Sequence, residues 1–317
     1  MSQGAPSLVA SGVTPPRYIL PGSTYMLTRR CTQRQFLLQP SEAVNGALEH
    51  LLAYAAAKYG IRVHACCVLS NHYHLIVHDP LGNISSFQQL FNSLVARSLN
   101  AHYGRWENFW SSEEPSVVRL TTFEDVFDKM LYTICNPVSS FLVEDSKLWP
   151  GLCSRPEHIG AGAHATERPE FFFRDGGPVP RTAELRLETP RGWDREALGH
   201  FERAVKDRQA EIRDGVKAGG RSFVGLRRIR RQTFESRPRT IERRRKRTPH
   251  IACKCPKLRV REIARWKRFV AEYREALGEF VRGARDVLFP AGTYLMKELF
   301  GVRCAPAPEP AAPTAPT

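Results

Sequence analysis

The chain has 317 residues and a formal net charge of +15, with 42% hydrophobic, 10% aromatic and 25% charged side chains. At ~150 residues per domain that is length for two, and the apolar share supports a packed core, which excludes wholesale disorder. No apolar run of ~18 residues and no basic-then-apolar start is present, so the expectation is a cytoplasmic protein without a membrane span or secretory signal.

Residues 1–16 are Gly-, Ser- and Pro-rich and read as a disordered arm. Tyr18 to Cys31 reads as a strand after a Pro21-Gly22 turn, with Tyr25, Met26, Leu27 and Thr28 as strand formers. Pro40-Ser41 opens a helix in which Val44, Leu48, Leu51, Leu52 and Ala55 recur at helical spacing, and Gly60 ends it. Ile61 to Leu69 and His72 to His78 form a hairpin around Ser70-Asn71. Pro80 and Gly82 break the chain before a helix that buries Phe87, Leu90, Phe91, Leu94, Val95 and Leu99. Ser116 to Leu120 is a further strand. Thr122 then caps a helix from Phe123 to about Cys135, stopped by Asn136-Pro137.

This β-α-β-β-α-β-α order predicts an α+β protein: a ferredoxin-like antiparallel sheet with helices on one face and the other face open. Residues 17–151 would form this catalytic domain, and 152–194, rich in Gly and Pro, a linker or loose extension. Residues 195–304 would be a basic, mainly helical DNA-binding extension, with helices over 195–218, 258–285 and after Phe289. The Ala/Pro/Thr stretch 305–317 would be a disordered tail. The eight cysteines lack disulfide-framework spacing and read as reduced thiols.

The sharpest local signal is Asn71-His72-Tyr73-His74-Leu75-Ile76-Val77-His78. Alternation along a strand puts His72 and His74 on one face, roughly 7 Å apart along the chain. Tyr73, Leu75 and Val77 anchor the other face. Two imidazoles so placed can bind one divalent metal, or can be two half-exposed strand histidines. His78 lies at the strand's end and is the weaker candidate. On the later helix, Phe123, Val126, Phe127, Met130, Leu131 and Ile134 make the apolar stripe. Tyr132 falls nearly opposite it, with Asn136 four residues on. That pair is either a presented phenol and carboxamide, or an ordinary surface Tyr before a helix-ending Asn-Pro.

Taken together, the strand after Pro-Gly, Asn-His-Tyr-His-Leu-Ile-Val and the Tyr-x-x-x-Asn-Pro-Val helix end resemble the REP-associated tyrosine transposases of the HUH single-tyrosine superfamily. The resemblance spans Pro16 to Gly151. It implies Tyr132 as nucleophile and His72, His74 and Asn136 as ligands of Mg²⁺ or Mn²⁺. It implies a DNA transposase, working as monomer or homodimer, that cuts and rejoins single-stranded DNA at hairpins of palindromic repeats through a 5′-phosphotyrosine. Two departures stand out: Tyr73 fills the middle HUH position, and Ser139-Ser140-Phe141 replaces the family's small basic stretch. A phenol with a pKa near 10 needs help to attack a phosphate at pH 7, and a Lewis acid supplies it.

The charge is one-sided. Residues 1–150 hold 11 Lys+Arg and 11 Asp+Glu, and the rest hold 36 against 21. Arg221 to Arg247 carries twelve Arg/Lys and two acids, so Arg221, Arg227, Arg228, Arg230, Arg231, Arg243, Arg244, Arg245, Lys246 and Arg247 are the expected backbone contacts. Phe223 and Phe234 would stack on bases. Lys254, Lys257, Arg259, Arg261, Arg265, Lys267 and Arg268, with Trp266 among them, extend the stripe. The rival reading is a catalytically inactive, domesticated nucleic-acid-binding protein; an RNA-binding sheet would need aromatics where the histidines stand.

Overall fold

The first strand begins later than the sequence suggests because Pro21 and Gly22 turn the chain first. Gly22 sits at φ 73 and its N–H donates to Asp79 O at 2.7 Å, after which β1 runs Ser23–Arg30. This computed structural model describes residues 16–240 and 250–308. The expected arm (through residue 15), the last residues of the expected tail (309–317) and Arg243, Arg244, Arg245, Lys246 and Arg247 lie outside the described residues.

Helix α1, Glu42–Tyr59, starts where Ser41 Oγ accepts from Val44 N–H at 3.2 Å and stops at Gly60, whose φ of 65 is the left-handed cap. β2 (Arg62–Leu69) and β3 (His72–Asp79) follow as an antiparallel hairpin. The buried Asp79 carboxylate accepts the N–H groups of Leu81, Gly82, Asn83 and Ile84, which fixes the start of α2, Ile84–His102. After β4 (Ser116–Leu120), a reciprocal capping box between Thr122 and Asp125 opens α3, Phe123–Ile134. α3 ends where expected, with Cys135 as its C-cap, and the chain turns at once into a further short helix. Pro137 fits the first turn of a short helix, α4 (Asn136–Ser139), because a first-turn N–H has no intrahelical acceptor to lose.

The sheet order is β2-β3-β1-β4, all antiparallel, and a fifth strand, β7 (Ile251–Ala252), joins β4 in parallel. Tyr25, Leu27, Tyr73, Leu75 and Val77 pack beneath α1 and α2. The expectation of helices on one face is corrected here. Met26, Ala65, Ile76, Val118 and Leu120 face the opposite way and pack on Met130 and Ile134 of α3, so both faces are covered. The apolar residues that alternate out of the first core on β1 and β3 already required that second cover.

Residues 152–194, expected as a linker or loose extension, are packed against the main core. β5 (Ala163–Glu167) and β6 (Thr182–Arg186) form a hairpin against α1. Val179, Leu185 and Leu187 enter the main core, and His50 of α1 bonds Thr166 Oγ1 at 3.2 Å and Pro180 O at 3.0 Å. Next comes α5, Arg195–Ala218, whose Phe201 is fully buried against Phe127 and Trp193. A short α6 (Leu226–Arg230) and a long α7 (Pro256–Val281) follow. Glu262 of α7 is buried in an ion pair with Arg119 of β4, and Phe269 lies 4.5 Å from the ring of Tyr18. β8 (Leu288–Phe289), α8 (Leu295–Phe300) and β9 (Arg303–Cys304) complete the chain. Among the described residues no helix is long and apolar enough to cross a membrane.

Buried histidines make stability fall at low pH, and His64 is one of them. His64 of β2 donates Nδ1–H to Glu188 O at 2.7 Å, and burial lowers its pKa to about 4. An unfolded His takes up its proton near pH 6.5. The stabilisation is therefore complete above about pH 6.5 and is lost as pH falls towards about 4. Urea midpoints should drop between about pH 7.5 and pH 5, and the drop should shrink in His64→Gln; equal drops in both proteins would remove His64 as its source.

Candidate active site

Strand register builds the site. Thr28 of β1 pairs with His74 of β3, and Arg30 pairs with His72, so these four side chains share the sheet face that α3 covers. The imidazoles of His72 and His74 stand perpendicular with ring centroids 4.9 Å apart. His74 is buried and its Nδ1 lies 2.8 Å from Thr28 Oγ1. With Nδ1–H donating there, the lone pair resides on Nε2, a buried atom without a hydrogen-bond partner among the described residues. His72 Nδ1 is held at 2.7 Å by Asn71 Oδ1, which selects the same tautomer. Burial, then the His72 imidazole and the Lys129 ammonium, hold the His74 pKa well below its usual range, so this ring stays neutral.

Tyr132 reaches the same place from α3. Its ring meets His74 edge-on, centroids 5.3 Å apart, and the side chain remains 46% exposed. The Lys129 ammonium, one turn back, lies 5.8 Å from the centre of the Tyr132 ring. Asn136 is placed differently from the expectation of an outward carboxamide. It is buried, because the chain turns into α4 and packs against α5 there, and its Oδ1 accepts from Ser140 Oγ at 3.3 Å. Tyr132 and Ser140 line the cavity, and Asn136 is not among the residues that line it. His78, at the other end of β3, bonds Thr24 Oγ1 at 3.1 Å and takes no part.

Among the described residues no group of three or more His, Cys, Asp and Glu side chains is arranged to hold a metal ion. A cation here would rest on two imidazoles and neutral oxygen donors. The orphaned Nε2 of His74 has the chemistry of such a donor: the nitrogen is neutral, desolvated and oriented by the Thr28 hydroxyl behind the ring.

The cavity measures ≈1030 Å³, and seven arginines line it beside the histidines and Tyr132, together with Glu113 and Glu114, of which Glu113 pairs with Arg30 at 3.3 Å. Of the residues named from sequence, Arg228 and Arg231 line it. Arg227 and Arg230 are exposed outside it, and Arg221 lies over the Phe141 ring at 4.7 Å. Arg237 and Arg239, which belong to the expected basic run Arg221–Arg247, also line it, as do Arg29, Arg30 and Arg34, which sequence reasoning missed. The signal for Arg30 was available: it is two residues from Thr28 and hence on the face of the histidines. The others arrive through tertiary contacts. Residues 234–240 are strapped over the cavity by Phe36 N–H to Ser236 O (2.8 Å) and by the Arg34 guanidinium, which bonds Thr240 O (2.5 Å) and Oγ1 (3.2 Å).

Phe234 stacks on Tyr103 at 4.4 Å and is half-buried, so its ring is already used in folding. Trp266 stacks on His250 at 5.1 Å. Lys254 pairs with Asp128 and Arg265 with Glu262, whereas Lys257, Arg259, Arg261, Lys267 and Arg268 are exposed.

No protein-family model and no curated protein matches the sequence. Several solved structures are similar in part, two of them as follows. One is a REP-associated tyrosine transposase bound to a REP hairpin, 20% identical, with the match covering 44% of this chain and 81% of that one at a TM-score of 0.38. The other, from Deinococcus radiodurans R1 and assigned as a transposase, is 21% identical, with 37% and 85% covered at a TM-score of 0.26. These are partial likenesses, and the functional assignment rests on the geometry of the cavity.

Proposed function

We propose that the protein is a metal-dependent DNA strand transferase of the tyrosine transposase kind, built on a ferredoxin-like core. Tyr132 is the nucleophile, and His72, His74 and Asn136 are the donors for Mg²⁺ or Mn²⁺. The observation that carries this reading is the contact of an exposed phenol with an imidazole whose buried Nε2 lacks a partner, in a cavity lined by arginines. Asn136 would join the donors only through a shift of the α3–α4 junction that turns its carboxamide away from Ser140.

The chemistry asked of these residues is in-line phosphoryl transfer. The Tyr132 oxygen gives up its phenolic proton to solvent and attacks the phosphorus of a single-stranded DNA phosphodiester. The new P–O bond to Tyr132 forms as the bond to the 3′ oxygen breaks, and that oxygen leaves as a hydroxyl after taking up a proton. The 5′-phosphotyrosine conserves the bond energy, so the 3′-OH can reverse the reaction or a second end can be joined. Bound metal supplies Lewis acidity at the phosphate. Lys129 stabilises negative charge developing on the phenol, and the arginines bind the flanking phosphates. A hairpin with a single-stranded flank is the substrate that the motif resemblance implies.

The test is covalent capture. Purified protein, Mn²⁺ or Mg²⁺ and labelled hairpins with single-stranded flanks should give a DNA-bearing band that survives denaturation, and the labelled peptide should contain Tyr132. Hairpin binding with no adduct under either metal would favour an inactive DNA-binding protein instead. The rim has its own test. Arg228→Ala and Arg231→Ala should each weaken hairpin binding and reduce the slope of log K against log salt by about 0.7 to 0.9. An unchanged slope in the double variant would take this rim out of the interface.

A further inference from the structure

Cys67 of β2 and Cys153 face each other across an antiparallel bridge. The flanking backbone bonds are Val68 N–H to Leu152 O and Ser154 N–H to Cys66 O, both 2.8 Å, so the two cysteines form the pair that exchanges no backbone bonds of its own. In such pairs the Cα atoms stand ~4.5 Å apart and the side chains lie closest. A disulfide accepts Cα separations of ~4.4 to 6.8 Å, so this one can close without moving the backbone.

The approach is held rigidly. Trp149 Nε1–H donates to Val68 O at 2.9 Å, and a Cβ on Gly151 would meet Trp149 Nε1 at 2.5 Å and Val68 O at 3.1 Å. Only glycine lets the chain pass this close. Cys66 points to the opposite face, where its Sγ lies 3.3 Å from Ser154 Oγ, and the Cys135 thiol is directed at Val205 O, 3.9 Å away. Burial, then the neighbouring Cys153 thiol, push the Cys67 thiol well above its ordinary range, whereas Cys153 is partly open to solvent.

We propose that Cys67 and Cys153 are an oxidisable dithiol, a modification site that peroxide converts to a disulfide. The Cys153 thiolate attacks one oxygen of hydrogen peroxide; an S–O bond forms, the O–O bond breaks, and the departing hydroxide takes a proton to become water. The Cys67 sulfur then attacks the sulfenic sulfur; the S–S bond forms, the S–O bond breaks, and the leaving hydroxide carries off the Cys67 proton as a second water. Two thiols lose two electrons and one peroxide gains them.

The position links this site to the cavity. Cys67 pairs with His74 in the β2–β3 ladder, and the Cys153 thiol donates to Ile134 O at 3.8 Å, in the last turn of the helix that carries Tyr132. Oxidation removes that donor and ties β2 to the 152–154 segment.

The full-length protein, treated with limiting hydrogen peroxide, alkylated and digested without reductant, should yield one dithiothreitol-sensitive cross-linked peptide pair. Fragmentation must assign it to Cys67, not Cys66, joined to Cys153, and Cys153→Ser should abolish it. Should that variant fail to fold, alkylation of the untreated wild-type protein gives the second reading, in which Cys153 and Cys67 lose labelling together after peroxide. A Cys135–Cys153 link, or Cys153 over-oxidised with Cys67 still alkylated, would overturn the proposal. The readout is chemical, so its outcome is independent of whether the protein cleaves DNA.

Discussion

Tyr132→Phe is expected to erase the denaturation-resistant protein–DNA band and to lower cleavage by on the order of 10³-fold or more, the usual scale for losing a nucleophile. Hairpin affinity and folding should be unaffected. The hydroxyl is not needed for packing, since the side chain is 46% exposed and meets His74 through its ring. Removing one exposed hydroxyl typically changes stability by less than about 0.5 kcal/mol. A thermal melt and a binding isotherm at one salt concentration, run beside the cleavage assay, therefore separate chemistry from structure. Wild-type levels of adduct in Tyr132→Phe would end the assignment of this residue.

His74→Ala and His72→Ala should each abolish metal-stimulated cleavage, with near-native circular dichroism. Their backing can be tested separately. Thr28 holds His74 Nδ1, and losing the partner that orients a metal-bound imidazole typically costs about 10- to 100-fold in metal affinity. Thr28→Val keeps the shape of that side chain and should give a loss of that size in a Mn²⁺ titration. Removal of His74 itself should exceed it. Mn²⁺ affinities unchanged in all three variants would show that the imidazoles are structural.

Much of the central sheet was legible because its residues follow simple periods. Period-2 alternation marked Tyr73, Leu75 and Val77 as core and His72 and His74 as partners, and Ser41, Gly60 and Thr122 are caps whose chemistry is local. The same alternation, followed onto the opposite face through Met26 and Ile76, would have revealed the layer formed by α3. Residues 152–194 were misread for a different reason. Their glycines and prolines describe turns, but Val179, Leu185 and Leu187 become core only because α1 offers them a surface. The arginine rim divides likewise: Arg30 follows from β1 register, whereas Arg237 and Arg239 reach the cavity through a strap that Arg34 and Phe36 hold. Asn136 shows the limit of a helical wheel, which gives direction around an axis but not whether another helix covers that direction.

The pairing of β7 with β4 has a practical outcome for anyone trimming this protein. Arg119 and Leu120 hydrogen-bond in register with Ile251 and Ala252, and Glu262 neutralises Arg119 from the helix that follows. A fragment ending near residue 151 would bare the β4 edge and leave the Arg119 guanidinium, largely buried in the intact protein, without its carboxylate. Such a piece should precipitate or stick to copies of itself, and a fragment that extends through α7 should not, because it keeps β7 on β4 and Glu262 on Arg119.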